Sequence, residues 1–170
     1  EGQWPFATVL SCIDSRTSAE LIFDQGLGDI FSIRIAGNFV NQDILGSMEF
    51  ACKVAGSKLI VVLGHTKCGA LKGGLDAKKV DELGLDNLSH LVHHFDACIH
   101  DIIKPNEERS SANNDLLDRL THKNIECTIE NIRNESAALR QMEEQGLIKI
   151  VGANYDVETG VVEWYDHHWN

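Results

Sequence analysis

The sequence predicts an α/β fold in which a mostly parallel central β-sheet is flanked by helices and ends in a carboxyl-terminal strand or hairpin. Three observations predict it. Residues 6–75 alternate short apolar, β-branched runs with longer stretches of helical period, the pattern of parallel strands joined by crossover helices. Residues 115–145 carry a long helical pattern with Ile125, Ile129 and Ile132 on one face. Two further strand-like runs, 147–155 and 161–165, flank the turn-rich Asp156-Val157-Glu158-Thr159-Gly160.

Taken in order, the first strand is expected over residues 6–11. Thr17-Ser18-Ala19-Glu20 then has the form of a capping box, with Thr17 as N-cap and Glu20 reaching back, opening a short helix that Gly26 and Gly28 end. A second strand is expected over 30–35. Ile44, Leu45, Met48, Ala51, Cys52 and Ala55 recur at steps of three and four, giving a crossover helix that Gly56 terminates before a third strand over 59–63. Residues 76–115 are more polar, with one apolar helical stripe from Leu88 to Ile103 stopped near Pro105 and a loop over 110–114. The helical pattern of 115–145 is expected to be interrupted and to close at Gly146.

With 170 residues, 43% hydrophobic and 24% charged, the chain suits one soluble domain over residues 1–170, and it shows no repeat or linker. Its 15 Lys and Arg against 26 Asp and Glu leave a formal charge of -11, which repels phosphate backbones and anionic lipid, so no nucleic-acid partner is expected. No apolar run reaches the ~20 residues that span a bilayer, so no membrane partner is expected either. The start, Glu1-Gly2-Gln3-Trp4, does not resemble a signal peptide. A cytoplasmic location is expected, with organellar and periplasmic locations left open because a targeting segment could precede so early a strand. The five cysteines are odd in number and scattered, which reads as reduced thiols or metal ligands rather than a disulfide framework.

The chemistry-bearing residues cluster at strand ends. Cys12-Ile13-Asp14-Ser15-Arg16 sets a thiol, a carboxylate and a guanidinium at alternate positions, so an extended backbone turns all three the same way. Gly64-His65-Thr66-Lys67-Cys68-Gly69 follows the third strand, and its His-x-x-Cys spacing lets imidazole and thiolate converge on one ion. Carboxyl ends of neighbouring strands are where ligands gather in an open α/β sheet. Two thiolates and one imidazole suit Zn²⁺ and leave a fourth position open, the mark of a catalytic site. Such a zinc lowers the pKa of bound water towards ~7 and supplies hydroxide for attack on an electrophilic carbon such as that of CO₂.

These motifs, with Arg34-Ile35-Ala36-Gly37-Asn38 between them and Asn124-Ile125, Val151-Gly152-Ala153-Asn154-Tyr155-Asp156 and Thr159-Gly160 after them, resemble the ordered signature of the β-class carbonic anhydrases. The resemblance covers nearly the whole chain and is weakest over 76–115. It implies that Cys12, His65 and Cys68 ligate zinc. It implies that Asp14 either pairs with Arg16, leaving an open site, or swings to the metal and closes it. It places Gln3, Phe31 and Gly69 at the substrate, CO₂ or bicarbonate, and it implies a homodimer or a dimer of dimers with sites built from both subunits. Three features depart from the family pattern: Lys67 stands where a small, polar or acidic residue is more usual, Ile35 where many relatives carry Asn, and the amino-terminal helical arm is absent from the sequence.

Cys52, Cys98 and Cys127 sit in helical apolar contexts without an evident partner and are expected to be packing residues. His90 and His94, at i and i+4, and the pair His167-His168 lack supporting ligands and are expected at the surface. The glycine pairs lack the order of a phosphate-binding loop. Beside reversible CO₂ hydration, two readings of the same residues stay open: hydrolysis of COS or CS₂, and a non-catalytic structural or sensor module whose zinc is closed by Asp14.

Overall fold

Among the described residues, five strands, β1 (Ala7–Ser11), β2 (Ile30–Arg34), β3 (Leu59–His65), β4 (Lys149–Tyr155) and β5 (Val162–Tyr165), form one sheet in the order β2-β1-β3-β4-β5. The structure is a computed structural model, and it describes residues 2–165. The first four strands pair in parallel and β5 returns antiparallel to β4, so the mostly parallel sheet with a terminal hairpin is as the sequence predicts. β3 runs two residues beyond its apolar segment because Gly64 and His65 still pair with Asn154 and Tyr155.

Among the described residues, eight α-helices connect and cover the strands: α1 (Ala19–Ile22), α2 (Gln42–Glu49), α3 (Gly69–Leu75), α4 (Ala77–Asp81), α5 (Asp86–His93), α6 (Asp96–Ile102), α7 (Asn114–Glu135) and α8 (Ala137–Glu144). One face of the sheet, carrying Leu10, Ile60, Val62 and Ile150, packs against Met48 of α2 and the Ile125, Ile129 and Ile132 stripe of α7. The opposite face carries Val9, Val61, Leu63 and Ala153 and is met by Ala19 of α1. Burial on both faces is why β1 and β3 read as unbroken apolar runs. A further core at the carboxyl ends of the strands joins Cys12 and Cys68 to Leu71, Phe95, Leu116 and Leu120.

Several expected boundaries change for identifiable reasons. Thr17 does not cap α1; its buried hydroxyl donates to the carbonyls of Cys12 and Asp14 at 3.1 and 2.9 Å, and Ser18 takes the cap position without a side-chain bond. The crossover helix α2 widens into a π-helical turn over Phe50–Val54, closed by the Ala55 N–H to Phe50 carbonyl bond, before Gly56 ends it at φ 84°. The single helix expected from Leu88 to Ile103 is two, α5 and α6. The bend at His94 and Phe95 lets Phe95, fully buried, seat in the hollows that Gly37 and Gly74 leave for it. The interruption between α7 and α8 falls at Ser136, whose hydroxyl accepts from Leu139 N and donates to Glu49 Oε1 at 2.6 Å.

Two contacts here have measurable consequences. α7 can lie close on β3 and β4 because a Cβ at Gly64 would come within 2.6 Å of Ile125 Cδ1, and one at Gly152 within 2.8 Å of Ile125 Cγ2. Gly64→Ala therefore overpacks the interface and is expected to cost about 1–3 kcal/mol, part of which Ile125→Val restores by removing Cδ1. Denaturant midpoints of the single and double variants check this, and an unchanged midpoint for Gly64→Ala would contradict it. Secondly, His93 bridges α4 and α6, with Nε2 3.1 Å from Asp81 Oδ2 and Nδ1 2.7 Å from Asp96 Oδ2, and Arg109 pairs with the same Asp96. Asp96 and then Asp81 raise the His93 pKa. Protonated His93 thus adds stability below about pH 6.5, lost as pH rises through the raised folded value. NMR titration is expected to show His93 losing its proton above that pH and Asp96→Asn bringing it down; titration of the wild-type ring at the unperturbed value would contradict the bridge.

Candidate metal centre

β1 pairs with β2 on one side and β3 on the other, so the chain leaves β1 in one direction and later crosses back to start β3 in the other. This is the topological switch point of an open α/β sheet, where a crevice opens beyond the carboxyl ends of the strands. Cys12 follows the last residue of β1, His65 is the last residue of β3, and Cys68 is the residue that precedes α3. The structure brings these three together: their ligand atoms lie within 4.8 Å of one another, and all three residues are buried.

The Cys12 and Cys68 sulfurs are 3.9 Å apart. A tetrahedral zinc with Zn–S bonds of about 2.3 Å would separate two sulfurs by about 3.8 Å. The imidazole is oriented by its other nitrogen, since His65 Nδ1 donates to the Thr66 carbonyl at 2.9 Å and leaves Nε2 with a lone pair. Buried Nε2 has no hydrogen-bond partner and faces the sulfurs. A buried, unsatisfied nitrogen and two sulfurs at tetrahedral spacing fit a zinc ion.

The surrounding chain fixes each ligand. Gly37 N–H donates to Cys12 Sγ at 3.3 Å, and Gly37 is itself held from α7 by Asn124 Nδ2, which donates to its carbonyl at 2.8 Å. Arg34, the last residue of β2, donates Nε to the Cys12 carbonyl at 3.0 Å and Nη2 to the Asp14 carbonyl at 2.6 Å. The turn between His65 and Cys68 is tied to the β4–β5 connection: Thr66 Oγ1 donates to Asp156 Oδ1 at 3.3 Å and accepts from Val157 N at 3.1 Å. Lys67, at φ 57°, turns outward and pairs with Glu158, away from the sulfurs.

Asp14 stands beside the cluster, with Oδ2 3.9 Å from His65 Nε2. Arg16 holds it by three bonds: Nε to Oδ1 at 2.9 Å, Nη2 to Oδ2 at 2.7 Å, and the backbone N–H to Oδ1 at 3.0 Å. This bidentate pair keeps the Asp14 carboxyl well below the usual carboxylate range. Between the sulfurs, the hydrogen bond from Cys68 lowers the Cys12 thiol to about 4, helped by His65 and the Gly37 and Asp14 backbones, while the same bond and burial push Cys68 up. Two thiolates this close repel each other, so the protein alone favours one anion and one thiol; a divalent cation removes that conflict.

Beside Cys12 and Asp14 opens a largely apolar pocket of about 380 Å³, lined by Ala36, Gly69 and Ala70 near the cluster and by Val80, Leu91 and Val92 further out. Gly69 lies in this wall. Gln3 and Phe31 do not: Gln3 is exposed, and Phe31 is on edge strand β2 with its ring against Phe50, centroids 6.3 Å apart. Arg34, Asn124 and the Thr66–Asp156 pair have supporting positions that the sequence reading did not assign, although all lie in the segments that carried the resemblance.

Of the other candidates, Cys52 is buried in the sheet–α2 core and burial pushes its thiol up to about 11, in line with a packing role. Cys98 is buried in the cluster that includes Leu116 and Leu120 and Cys127 packs against it, so both pack as expected, but they are not solitary, since each shifts the other's thiol across the α6–α7 contact. His90 and His94 are exposed, with the His94 ring stacked on Phe39 at 4.0 Å, and neither joins a metal-ligating group among the described residues. His167-His168 lies outside the described residues. No helix among the described residues is long and apolar enough to cross a membrane.

Comparison with known proteins agrees with this centre. Residues 7–162 match the family model described as carbonic anhydrase. The carbonic anhydrase of Mycolicibacterium smegmatis is 35% identical over 167 residues, covering 98% of this chain and 78% of that protein. The solved structure of the β-carbonic anhydrase CcaA superposes with a TM-score of 0.84 at 28% identity, over 97% of this chain and 75% of the other. A structure from Sordaria macrospora, reported as one of two tetrameric β-carbonic anhydrases, shares the fold with a TM-score of 0.78 at 22% identity, over 97% and 82% of the two chains. With the family match spanning the four parallel strands and the first residue of β5, and including every ligand candidate, the chain belongs to the carbonic anhydrase family, in its β class.

Proposed function

We propose that Cys12, His65 and Cys68 hold a zinc ion and that, with it, the chain catalyses the reversible hydration of CO₂ to bicarbonate and a proton. The observation that carries this reading is the buried, unpartnered His65 Nε2 facing two sulfurs 3.9 Å apart, beside a carboxylate that is already bound elsewhere. When bound, zinc supplies Lewis acidity that makes a nucleophile of water at neutral pH.

The residues of the chain then divide the work. His65, anchored through Nδ1, and the two cysteines occupy three positions and leave a fourth for water. Arg16 keeps Asp14 ionised and turned away from a ligating position. Asp14, 3.9 Å from His65 Nε2, is placed to accept a hydrogen bond from the attacking water and so orient it. The apolar wall of Gly69 and Ala70 takes a small linear molecule that offers no strong hydrogen-bond partners. Because Asp14 is engaged by three bonds from Arg16, the arrangement favours an open site over a closed structural one. Nothing in it singles out COS or CS₂.

We assign Gln3 and Phe31, which lie off this pocket within one chain, to the site of a neighbouring subunit in a homodimer or a dimer of dimers. The tetrameric relative from Sordaria macrospora supports assembly of this kind.

Stopped-flow CO₂ hydration on zinc-loaded protein, with metal analysis of each sample, tests the proposal. Cys68→Ala is expected to lose both zinc and activity. Asp14→Asn is expected to keep zinc and lose roughly 10²–10⁴ in rate, the scale of one positioned proton acceptor. Full activity in Asp14→Asn, or none in wild-type protein carrying one zinc per chain, would overturn the assignment.

A further inference from the structure

The second pair of thiols has no part in the metal centre. α6 and α7 pack antiparallel, and two contacts step along their shared face: Arg119 Nη1 donates to the Ile102 carbonyl, and Lys123 Nζ lies 3.6 Å from Asp101 Oδ2; one turn further on, Cys127 packs against the core cluster that holds Cys98. Moving back three residues on α6 and on four residues on α7 is one turn of each helix, so the register that pairs Asp101 with Lys123 places Cys98 and Cys127 opposite each other across the helix contact. Cys98 is 8% exposed and sits in the core with Leu116, Leu120 and Ile99, while Cys127 packs against that core from its half-exposed edge. One thiol is therefore reachable from solvent and the other waits behind it.

We propose that Cys98 and Cys127 are a reversible oxidative modification site, in which a peroxide oxidises Cys127 and Cys98 resolves the product as an intramolecular disulfide. The Cys127 thiolate attacks one oxygen of hydrogen peroxide, breaking the O–O bond to give a sulfenic acid and hydroxide. The Cys98 sulfur then attacks the sulfenic sulfur, the S–O bond breaks, and its oxygen leaves as water with the thiol proton supplied by Cys98 or solvent. Two thiols and one peroxide become one disulfide and two waters, with a two-electron oxidation of the pair. The electrostatics agree: the neighbouring Cys98 and the Lys123 ammonium one turn away both lower the Cys127 thiol, whereas Cys98 is raised.

The site is close enough to the metal centre to be felt there. Asn124, on the turn of α7 before Cys127, holds the Gly37 carbonyl, and Thr128 donates to the Asn38 carbonyl at 3.3 Å. A cross-link between α6 and α7 fixes the helix that carries both.

The test is a mild hydrogen peroxide titration of the zinc-loaded wild-type protein, in which the metal occupies Cys12 and Cys68, followed by intact mass and peptide mapping. The expected result is loss of two hydrogens, a linked peptide pair containing Cys98 and Cys127, unmodified Cys52, and full reversal by dithiothreitol. Cys98→Ser is expected to leave Cys127 as a sulfenic acid that dimedone traps, and Cys127→Ser to leave Cys98 reduced. Over-oxidation of Cys127 in wild type without a cross-link, a disulfide joining either residue to a different cysteine, or no thiol consumption at peroxide levels that modify Cys98→Ser would each overturn the proposal. Mapping keeps the result separate from the zinc assignment, because a Cys12–Cys68 disulfide gives a different peptide pair.

Discussion

Two buried sulfurs and a buried imidazole nitrogen converge within 4.8 Å of one another, and much of the molecule is arranged to hold them there. Left alone, the cluster is costly: burial disfavours thiolates, the two sulfurs repel when both are ionised, and His65 Nε2 has no partner. The fold sustains this by delivering the ligands from its most rigid parts. Cys12 and His65 come from adjacent parallel strands whose registers are fixed along their whole length, and Cys68 comes from the residue that opens α3. A metal ion bound there would therefore stabilise the fold as well as equip it for chemistry.

A supporting layer makes the convergence durable. The loop after β1 is tightened by the buried Thr17 hydroxyl and by Arg34 from the neighbouring strand, and the turn after β3 is tied through Thr66 to Asp156. From behind, α7 reaches the centre through Asn124 and Gly37. The close seating of α7 over Gly64 and Gly152 is what allows that reach. Catalytic geometry thus depends on the packing of a long helix whose own residues do not touch the reacting atoms.

Much of this was legible in the sequence because the informative signals are local. Cys12, Asp14 and Arg16 share one short segment at a strand end, and His65 and Cys68 another, so spacing alone placed both sets on the same edge of a parallel sheet. Signals that need tertiary contact were not legible. The Thr17-x-x-Glu20 pattern satisfies the rule for a capping box, yet the hydroxyl finds better use closing the loop around Cys12. The stripe from Leu88 to Ile103 has helical period throughout, but the hollows at Gly37 and Gly74 that draw Phe95 inward, and bend the helix, lie far off in the chain. Cys98 and Cys127 looked solitary for the same reason, since only the register of α6 against α7 makes them neighbours. Gln3 and Phe31 follow the family pattern in sequence, whereas in space they lie apart from the pocket of their own chain.

The central claim is that these three side chains make an open zinc site. The most direct measurement is the zinc K-edge X-ray absorption spectrum of the purified protein at neutral pH. The account predicts two sulfur neighbours at about 2.3 Å, one imidazole nitrogen at about 2.0–2.1 Å and one light, exchangeable atom in the fourth position. A spectrum with fewer than two sulfurs, or with the fourth position held by a protein carboxylate that stays bound across pH, would contradict it.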